Sequence, residues 1–421
     1  MDRFLIQGPC TLSGEVTVAG AKNAVLPLMA ATLLSDGTSR IRNNPDLRDT
    51  RTMARVLETL GATTECKDGT LTVDASGADG IEAPYDLVKT MRASIYVLGP
   101  LLARHGQARV SLPGGCAWGP RPVDLHLKGM EALGAKVELE GGYILAECDQ
   151  LKGTEINFET SSVGATANVM MAAVLAEGHT VLDNAAREPE VTQLAEALID
   201  SGAKIEGVGT TRLEIDGVKE LRPLDVEVIA DRIEAGTFLA AGAALRSKLR
   251  VRGVRTDHLA RTIEILESTG CKFNVGNDAI EVDGREAHGT MRVVTRPFPG
   301  FPTDMQAQTM AVACVGDGIS VITDTIYPDR FTHVAELRRL GADIRMDGNS
   351  AVVRGVDTLT AAPVMATDLR ASAALIIAAL AARGETQLDR VYHIDRGYER
   401  IEQKLRALGA TIERVAGPPT P

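Results

Sequence analysis

Six times along this chain a helical segment closes on Leu-Gly-Ala or a near variant: Leu60-Gly61-Ala62, Leu133-Gly134-Ala135, Ser201-Gly202-Ala203, Thr269-Gly270-Cys271, Leu340-Gly341-Ala342 and Leu408-Gly409-Ala410. Successive glycines lie 68 to 73 residues apart. Chance does not produce that regularity, so the chain is six copies of one supersecondary unit. Each glycine fits the position just past a helix C-terminus, where the backbone turns left-handed, and a short strand follows it. A solenoid scaffold without chemistry is the alternative, but its usual period is roughly 20 to 50 residues. The longer unit favours self-contained copies gathered into two clusters of three.

Each unit carries a second, far more apolar helix, starting near Asn23, Met91, Val163, Arg232, Asp304 and Asp368. These helices are alanine-rich nearly all round, as in 369–382, so they are predicted to be buried while the Leu-Gly-Ala helices are amphipathic and face solvent. The predicted order within a unit is strand, buried helix, strand, amphipathic helix, two strands. Helix and strand alternate, which makes the fold class α/β, and 421 residues exceed one ordinary core. Only 3% of residues are aromatic, so Ala, Leu, Val and Ile must build both cores. Residues 1–20 read as two strands with no helix before them, and the sixth unit ends one strand short. The N-terminal strands are therefore expected to complete the C-terminal domain. That gives one domain over 22–229 and a second from 1–21 plus 230–421, with a functional cleft between them and a tail without periodicity at 416–421.

The formal net charge of -11 argues against nucleic acid as a partner, because backbone binding needs a net basic surface. The N-terminus has no apolar signal segment, and the longest strongly apolar run, 371–382, is too short to span a bilayer. The six cysteines, at 10, 66, 116, 148, 271 and 314, form no C-x-x-C pair. They read as reduced thiols of a cytoplasmic protein, with no disulfide framework, metal site or cofactor expected.

One thiol stands apart. Cys116 lies in Pro113-Gly114-Gly115-Cys116-Ala117-Trp118-Gly119-Pro120-Arg121-Pro122-Val123-Asp124, between a strand near 107–112 and a helix whose apolar positions are Val123, Leu127, Met130 and Leu133. A cysteine near an arginine and the free N–H groups of a helix start has its thiol pKa depressed. The plainer reading is a small apolar residue in a tight turn. The starts of the buried helices hold the rest of the unexpected charge. Lys22 and Arg92 put cations where the helix dipole disfavours them, which costs stability unless an anion sits there. Asp231, Asp304 and Asp368 put acids where the dipole favours them, and as ordinary first-turn acids the three cannot be told apart.

These stretches carry a resemblance. Gly20-Ala21-Lys22-Asn23-Ala24, Lys89-Thr90-Met91-Arg92-Ala93-Ser94, Pro113-Gly114-Gly115-Cys116, Arg121-Pro122-Val123-Asp124-Leu125-His126, Phe301-Pro302-Thr303-Asp304-Met305-Gln306, Ala366-Thr367-Asp368-Leu369-Arg370-Ala371 and Tyr392-His393-Ile394-Asp395-Arg396-Gly397 closely resemble the bacterial UDP-N-acetylglucosamine 1-carboxyvinyltransferases of peptidoglycan synthesis. The resemblance runs the whole length, in order. It implies a pair of inside-out α/β barrels and transfer of enolpyruvyl from phosphoenolpyruvate to the 3'-hydroxyl of UDP-N-acetylglucosamine, by a protein without a cofactor and without a membrane span, and monomeric.

By motif match, Lys22, Asn23, Arg121 and Arg396 are implied to hold phosphoenolpyruvate, with Arg92 beside them and Arg48, Asp368 and Arg370 in supporting places. Cys116 matches the family's proton donor and adduct-forming thiol, and Asp304 its base. The nucleotide sugar is implied to meet Arg92, Arg121, Pro122, Val123, Asp124, Leu125, the turn Thr160-Ser161-Ser162-Val163-Gly164, Asp304 and Ile326. The chain departs from the family's pattern at Thr160, where lysine is common, and at Trp118 and Pro120 on the cysteine loop. His126 and His393 lie near the motifs, with hydrogen-bonded structural roles the plainer reading of both. A 3-phosphoshikimate enolpyruvyl transferase is the alternative within the fold, but it lacks the Pro-Gly-Gly-Cys loop and starts its first helix with Lys-Ser rather than Lys22-Asn23. A catalytically silent paralogue that binds the nucleotide sugar is expected to have lost one of Lys22, Cys116, Asp304 and Arg396, and all four are present. A thiol hydrolase built on Cys116 lacks a convincing base and oxyanion pair.

Overall fold

A computed structural model describes residues 2–89, 91–112 and 123–417. The chain divides into a continuous unit, Gly20–Ile229, and a split unit formed by Met1–Ala19 and Ala230–Pro421. Among the described residues each holds three four-stranded sheets.

All six sheets follow one plan, with a parallel pair of strands at one edge and two antiparallel neighbours beyond it. In the second repeat the strand Glu82–Ala83 runs parallel to Gln107–Ser111, which pairs antiparallel with Tyr143–Glu147, and that strand with Lys136–Glu140. A parallel pair needs a crossover connection, and in four of the sheets the apolar helix of the repeat supplies it directly. Alternation along the strands sets which face is buried. In Lys248–Arg252 the residues Leu249 and Val251 point inward, while Lys248, Arg250 and Arg252 face solvent and pair with Glu281 and Glu15 at 3.0 to 3.4 Å.

The order of elements is permuted against the repeats. The strand Arg3–Gly8 pairs antiparallel with both Gly384–Asp389 and Thr411–Val415, and Ser13–Thr17 runs parallel to Lys248–Arg252. The first repeat in turn takes its parallel edge from Asp225–Glu227, which pairs with Thr38–Arg42.

The six apolar helices form the two cores. Leu369–Ala381 is typical: 12 of its 13 residues are buried, five of them alanine. Small side chains let such helices approach closely, which explains a core with few aromatics. Two of the six begin as 3-10 helices. The second begins as a 3-10 helix, Arg92–Val97, before Leu98–His105, and the fifth as Thr303–Met305 before Gln306–Cys314. The amphipathic helices close as the repeat predicts: Gly61, Gly134, Gly202, Gly270, Gly341 and Gly409 all have φ between +93° and +112°. The loop that bears Cys116, Trp118, Pro120, Arg121 and Pro122 lies outside the described residues, as do Thr90 and the last four residues of the tail.

Candidate active site

The structure separates the three acids at helix starts of the split unit. Asp231 caps its helix, accepting from the N–H groups of Ile233 at 2.8 Å and Glu234 at 3.0 Å. Asp368 does the same with Arg370 at 2.7 Å and Ala371 at 3.0 Å. Both satisfy N–H groups that a helix leaves unbonded at its start. Asp304 does not cap; its helix start has no side-chain cap. Instead Asp304 Oδ1 accepts from Arg330 Nη1 at 2.8 Å, and Oδ2 accepts from Arg370 Nη2 at 2.9 Å and Nε at 3.2 Å.

Two opposing effects act on this carboxyl. Burial pushes it up, but the Arg370 and Arg330 guanidinium groups outweigh burial and hold it well below the usual carboxylate range. Arg370 is almost fully buried and is itself held charged, because Asp304 offsets the desolvation that pushes it down. Its guanidinium lies 5.4 Å from the ring centroid of buried Tyr398, whose hydroxyl meets Thr237 at 2.9 Å and Gln308 at 3.1 Å. Arg396 closes the 3-10 helix Val391–Arg396, two residues before that tyrosine, and its neighbour Asp395 is ion-paired with Arg414.

The continuous unit gathers a second set. Lys22, mostly buried, opens the helix Lys22–Ala31, which has no side-chain cap and no acid in its first turn. The anion that the helix dipole asks for comes from the protein: Lys22 Nζ meets Asp49 Oδ2 at 3.0 Å, and that carboxylate is 2% exposed. Asp49 stands beside exposed Arg48 at the start of Arg48–Thr59.

Further on, buried Asn168 ties three elements together. Its Oδ1 accepts from Gly99 N at 2.7 Å, and its Nδ2 donates to Ile95 O at 2.9 Å and to His126 Nδ1 at 3.0 Å. A donating Nδ2 fixes His126 as the tautomer protonated on Nε2, and that nitrogen sits so close to Gly164 that a side chain there would stand 2.9 Å from it. Burial, and then the nearby Arg92 charge, push His126 down to about 3, so the ring is neutral. Arg92, Asp124 with half-buried Leu125, and the Ser162-capped start of Val163–Ala173 thus belong to one braced cluster, while Thr160 is exposed at its rim.

Known proteins share the sequence and the fold of this chain. A family model for EPSP synthase (3-phosphoshikimate 1-carboxyvinyltransferase) matches residues 6–405. A protein of Trichlorobacter lovleyi named UDP-N-acetylglucosamine 1-carboxyvinyltransferase is 53% identical over 420 residues, spanning 99% of this chain and 100% of its own. One of the same name from Geobacter metallireducens is 52% identical over 415 residues with the same coverage. This chain belongs to the UDP-N-acetylglucosamine 1-carboxyvinyltransferase family.

Among solved structures, the enolpyruvyl transferase NikO from Streptomyces tendae superposes with a TM-score of 0.88 at 29% identity, covering 99% of both chains. The EPSP synthase of Acinetobacter baumannii reaches 0.73 at 18% identity, covering 99% of this chain and 100% of its own, and shares the fold alone. Within the UDP-N-acetylglucosamine 1-carboxyvinyltransferase frame, sequence reasoning reached Asp304 and Arg370 but missed Arg330, Asp324 and Asp49, and gave Thr303 no role although it adjoins Asp304. Arg330, Asp324 and Asp49 meet Asp304, Thr303 and Lys22 across more than 20 residues, and none of the three stands at the start of an apolar helix. Among the described residues no group of three His, Cys, Asp or Glu could hold a metal ion, and no helix is long and apolar enough to cross a membrane.

Proposed function

We propose that this enzyme moves the enolpyruvyl group of phosphoenolpyruvate to the 3'-hydroxyl of UDP-N-acetylglucosamine and releases phosphate. Full-length identity of 52 to 53% to relatives of that name supports the substrates. The observation that carries the chemistry is Asp304, whose two oxygens accept from Arg330 and Arg370, whereas Asp231 and Asp368 cap their helices.

In this reading Lys22, Asn23, Arg121 and Arg396, with Arg92, hold the phosphate and carboxylate of phosphoenolpyruvate, and guanidinium groups suit such oxygens because they bind in pairs. The nucleotide sugar is held by Arg92, by Arg121, Pro122, Val123, Asp124 and Leu125, by Thr160, Ser161, Ser162, Val163 and Gly164, and by Asp304 and Ile326. Arg48, Asp368 and Arg370 support them. The sugar oxygen bonds to C2 of the enol as Cys116 gives a proton to C3 and Asp304 takes the hydroxyl proton. Loss of a proton from C3 then expels phosphate and restores the double bond. Asp304 is a weak base at rest, so it takes the proton only as the carbon–oxygen bond forms and the hydroxyl becomes acidic. The product serves peptidoglycan precursor synthesis, and with it cell shape and division, and the enzyme works as a cytoplasmic monomer.

The test is phosphate release on mixing the protein with phosphoenolpyruvate and UDP-N-acetylglucosamine, with 3-phosphoshikimate as the parallel acceptor. Release with the nucleotide sugar alone is expected. Cys116→Ala is expected to abolish it and Cys116→Asp to retain it, since a carboxyl also donates a proton; an active alanine variant would remove the donor assignment. Release with 3-phosphoshikimate instead would overturn the reading.

A further inference from the structure

Asp324 is fully buried, yet the proposed chemistry gives it no part. Its Oδ1 accepts from the Thr295 hydroxyl at 2.8 Å and from the backbone N–H groups of Ile326 at 2.9 Å and Tyr327 at 2.8 Å. Its Oδ2 accepts from the Thr303 hydroxyl at 2.7 Å. A hydroxyl has one hydrogen, and Thr303 spends it there, so only lone pairs of its oxygen face Arg330 Nη1, which donates to it at 3.0 Å. The other hydrogen of that nitrogen goes to Asp304 Oδ1 at 2.8 Å. Thr303 therefore donates to Asp324, and Arg330 donates to both Thr303 and Asp304, so the direction of every bond from Asp324 to Asp304 is fixed.

We propose that Thr303, oriented by Asp324, is a positioning residue that fixes Arg330 against Asp304, and that Asp324 couples this pair to the loop bearing Ile326. The inference rests on the reading above, in which Asp304 and Ile326 meet the nucleotide sugar. One carboxylate then sets both the backbone of a substrate-binding loop and the second guanidinium on the base. A merely structural Asx turn would need the Ile326 and Tyr327 bonds but not the Thr303 bond.

Thr303 is half-buried, so a valine of the same shape should fold. Thr303→Val is expected to lower kcat about tenfold to a hundredfold, the range for losing one hydrogen bond to a charged group. The KM for UDP-N-acetylglucosamine is expected to stay within about twofold. Loosening Arg330 also lets the Asp304 carboxyl rise, so the acid limb of the pH profile moves to higher pH. The groups that share this field are Arg330, Arg370, Tyr398, Asp231, Asp368 and His333.

Thr303→Ser, which keeps the hydroxyl, should restore most of the rate. Asp324→Asn turns the Thr303 bond around and weakens the loop, so it should lower kcat and raise that KM together. A valine variant with the parent's kcat and pH profile overturns the inference, as does a serine variant as impaired as the valine one. Should the asparagine variant fail to fold, the Val and Ser pair decides alone. A parent chain inactive with the nucleotide sugar would sink the reading itself, whereas an active parent with an indifferent valine variant would sink only this role.

Discussion

Asp304 keeps its charge because three donors from two guanidinium groups converge on it, and Arg370 supplies two of the three. Replacing Arg370 by methionine leaves the volume but removes both bonds and the larger of the two attractive charges. The carboxyl then rises toward the usual range. Because the proposed reaction uses the carboxylate as base, the acid limb of kcat against pH is expected to move to higher pH, and Arg370→Lys to fall between parent and methionine, since one ammonium cannot make the paired contact. Stripping one partner from a buried pair also costs roughly 3 kcal/mol, which urea denaturation would register; an unshifted limb would mean that Arg330 alone suffices. At this scale the sequence displays the acids but not their partners. Asp231, Asp304 and Asp368 look alike in the chain, and it is a contact across 66 residues, Arg370 on Asp304, that tells them apart.

The repeat element owes its uniformity to a backbone requirement. Each amphipathic helix ends where only glycine turns without strain, so the six glycines stay legible while the side chains around them drift. The same substitution should nevertheless cost different amounts at different copies. At Gly134 a new methyl meets nothing within 4 Å, so Gly134→Ala bears only the cost of positive φ, about 1 to 2 kcal/mol. At Gly61 the methyl would stand 2.7 Å from the Gly77 carbonyl oxygen, so Gly61→Ala should destabilise clearly more. Chemical denaturation of the two variants side by side checks this, and equal losses would show that the contact relaxes freely. The elements that escape periodicity are the 3-10 starts at Arg92–Val97 and Thr303–Met305. They differ from a helical start only in how the first turn is wound, which hydrophobic spacing does not report.

Each unit of the molecule also buries a histidine in its neutral form. Burial, then Arg92, puts His126 at about 3 in the continuous unit, and burial, partly offset by Asp368, puts His333 at about 4 in the split unit. Above the unfolded value of about 6.5 both states are neutral and the shift contributes nothing. Below it the unfolded chain takes up protons that the folded chain refuses, so stability should fall as pH drops from about 6.5 toward 4, before most carboxylates titrate. His126→Gln should flatten that slope, read as the urea midpoint at pH 7 and pH 5. An unchanged slope would mean that His126 protonates without unfolding the protein.

What the sequence determined by itself was whatever repeats or is written in adjacent residues: six α/β units, buried alanine-rich helices, the glycine stops and the motifs at the helix starts. These follow from local backbone preference and from periodicity, which neighbours in the chain express directly. Only the tertiary structure decided which acid meets two guanidinium groups, which carboxylate answers Lys22, and how Asp324 joins Ile326 to Arg330. Those are directed hydrogen bonds between residues far apart in the chain, and no local pattern encodes the distance or the direction in which a hydrogen points.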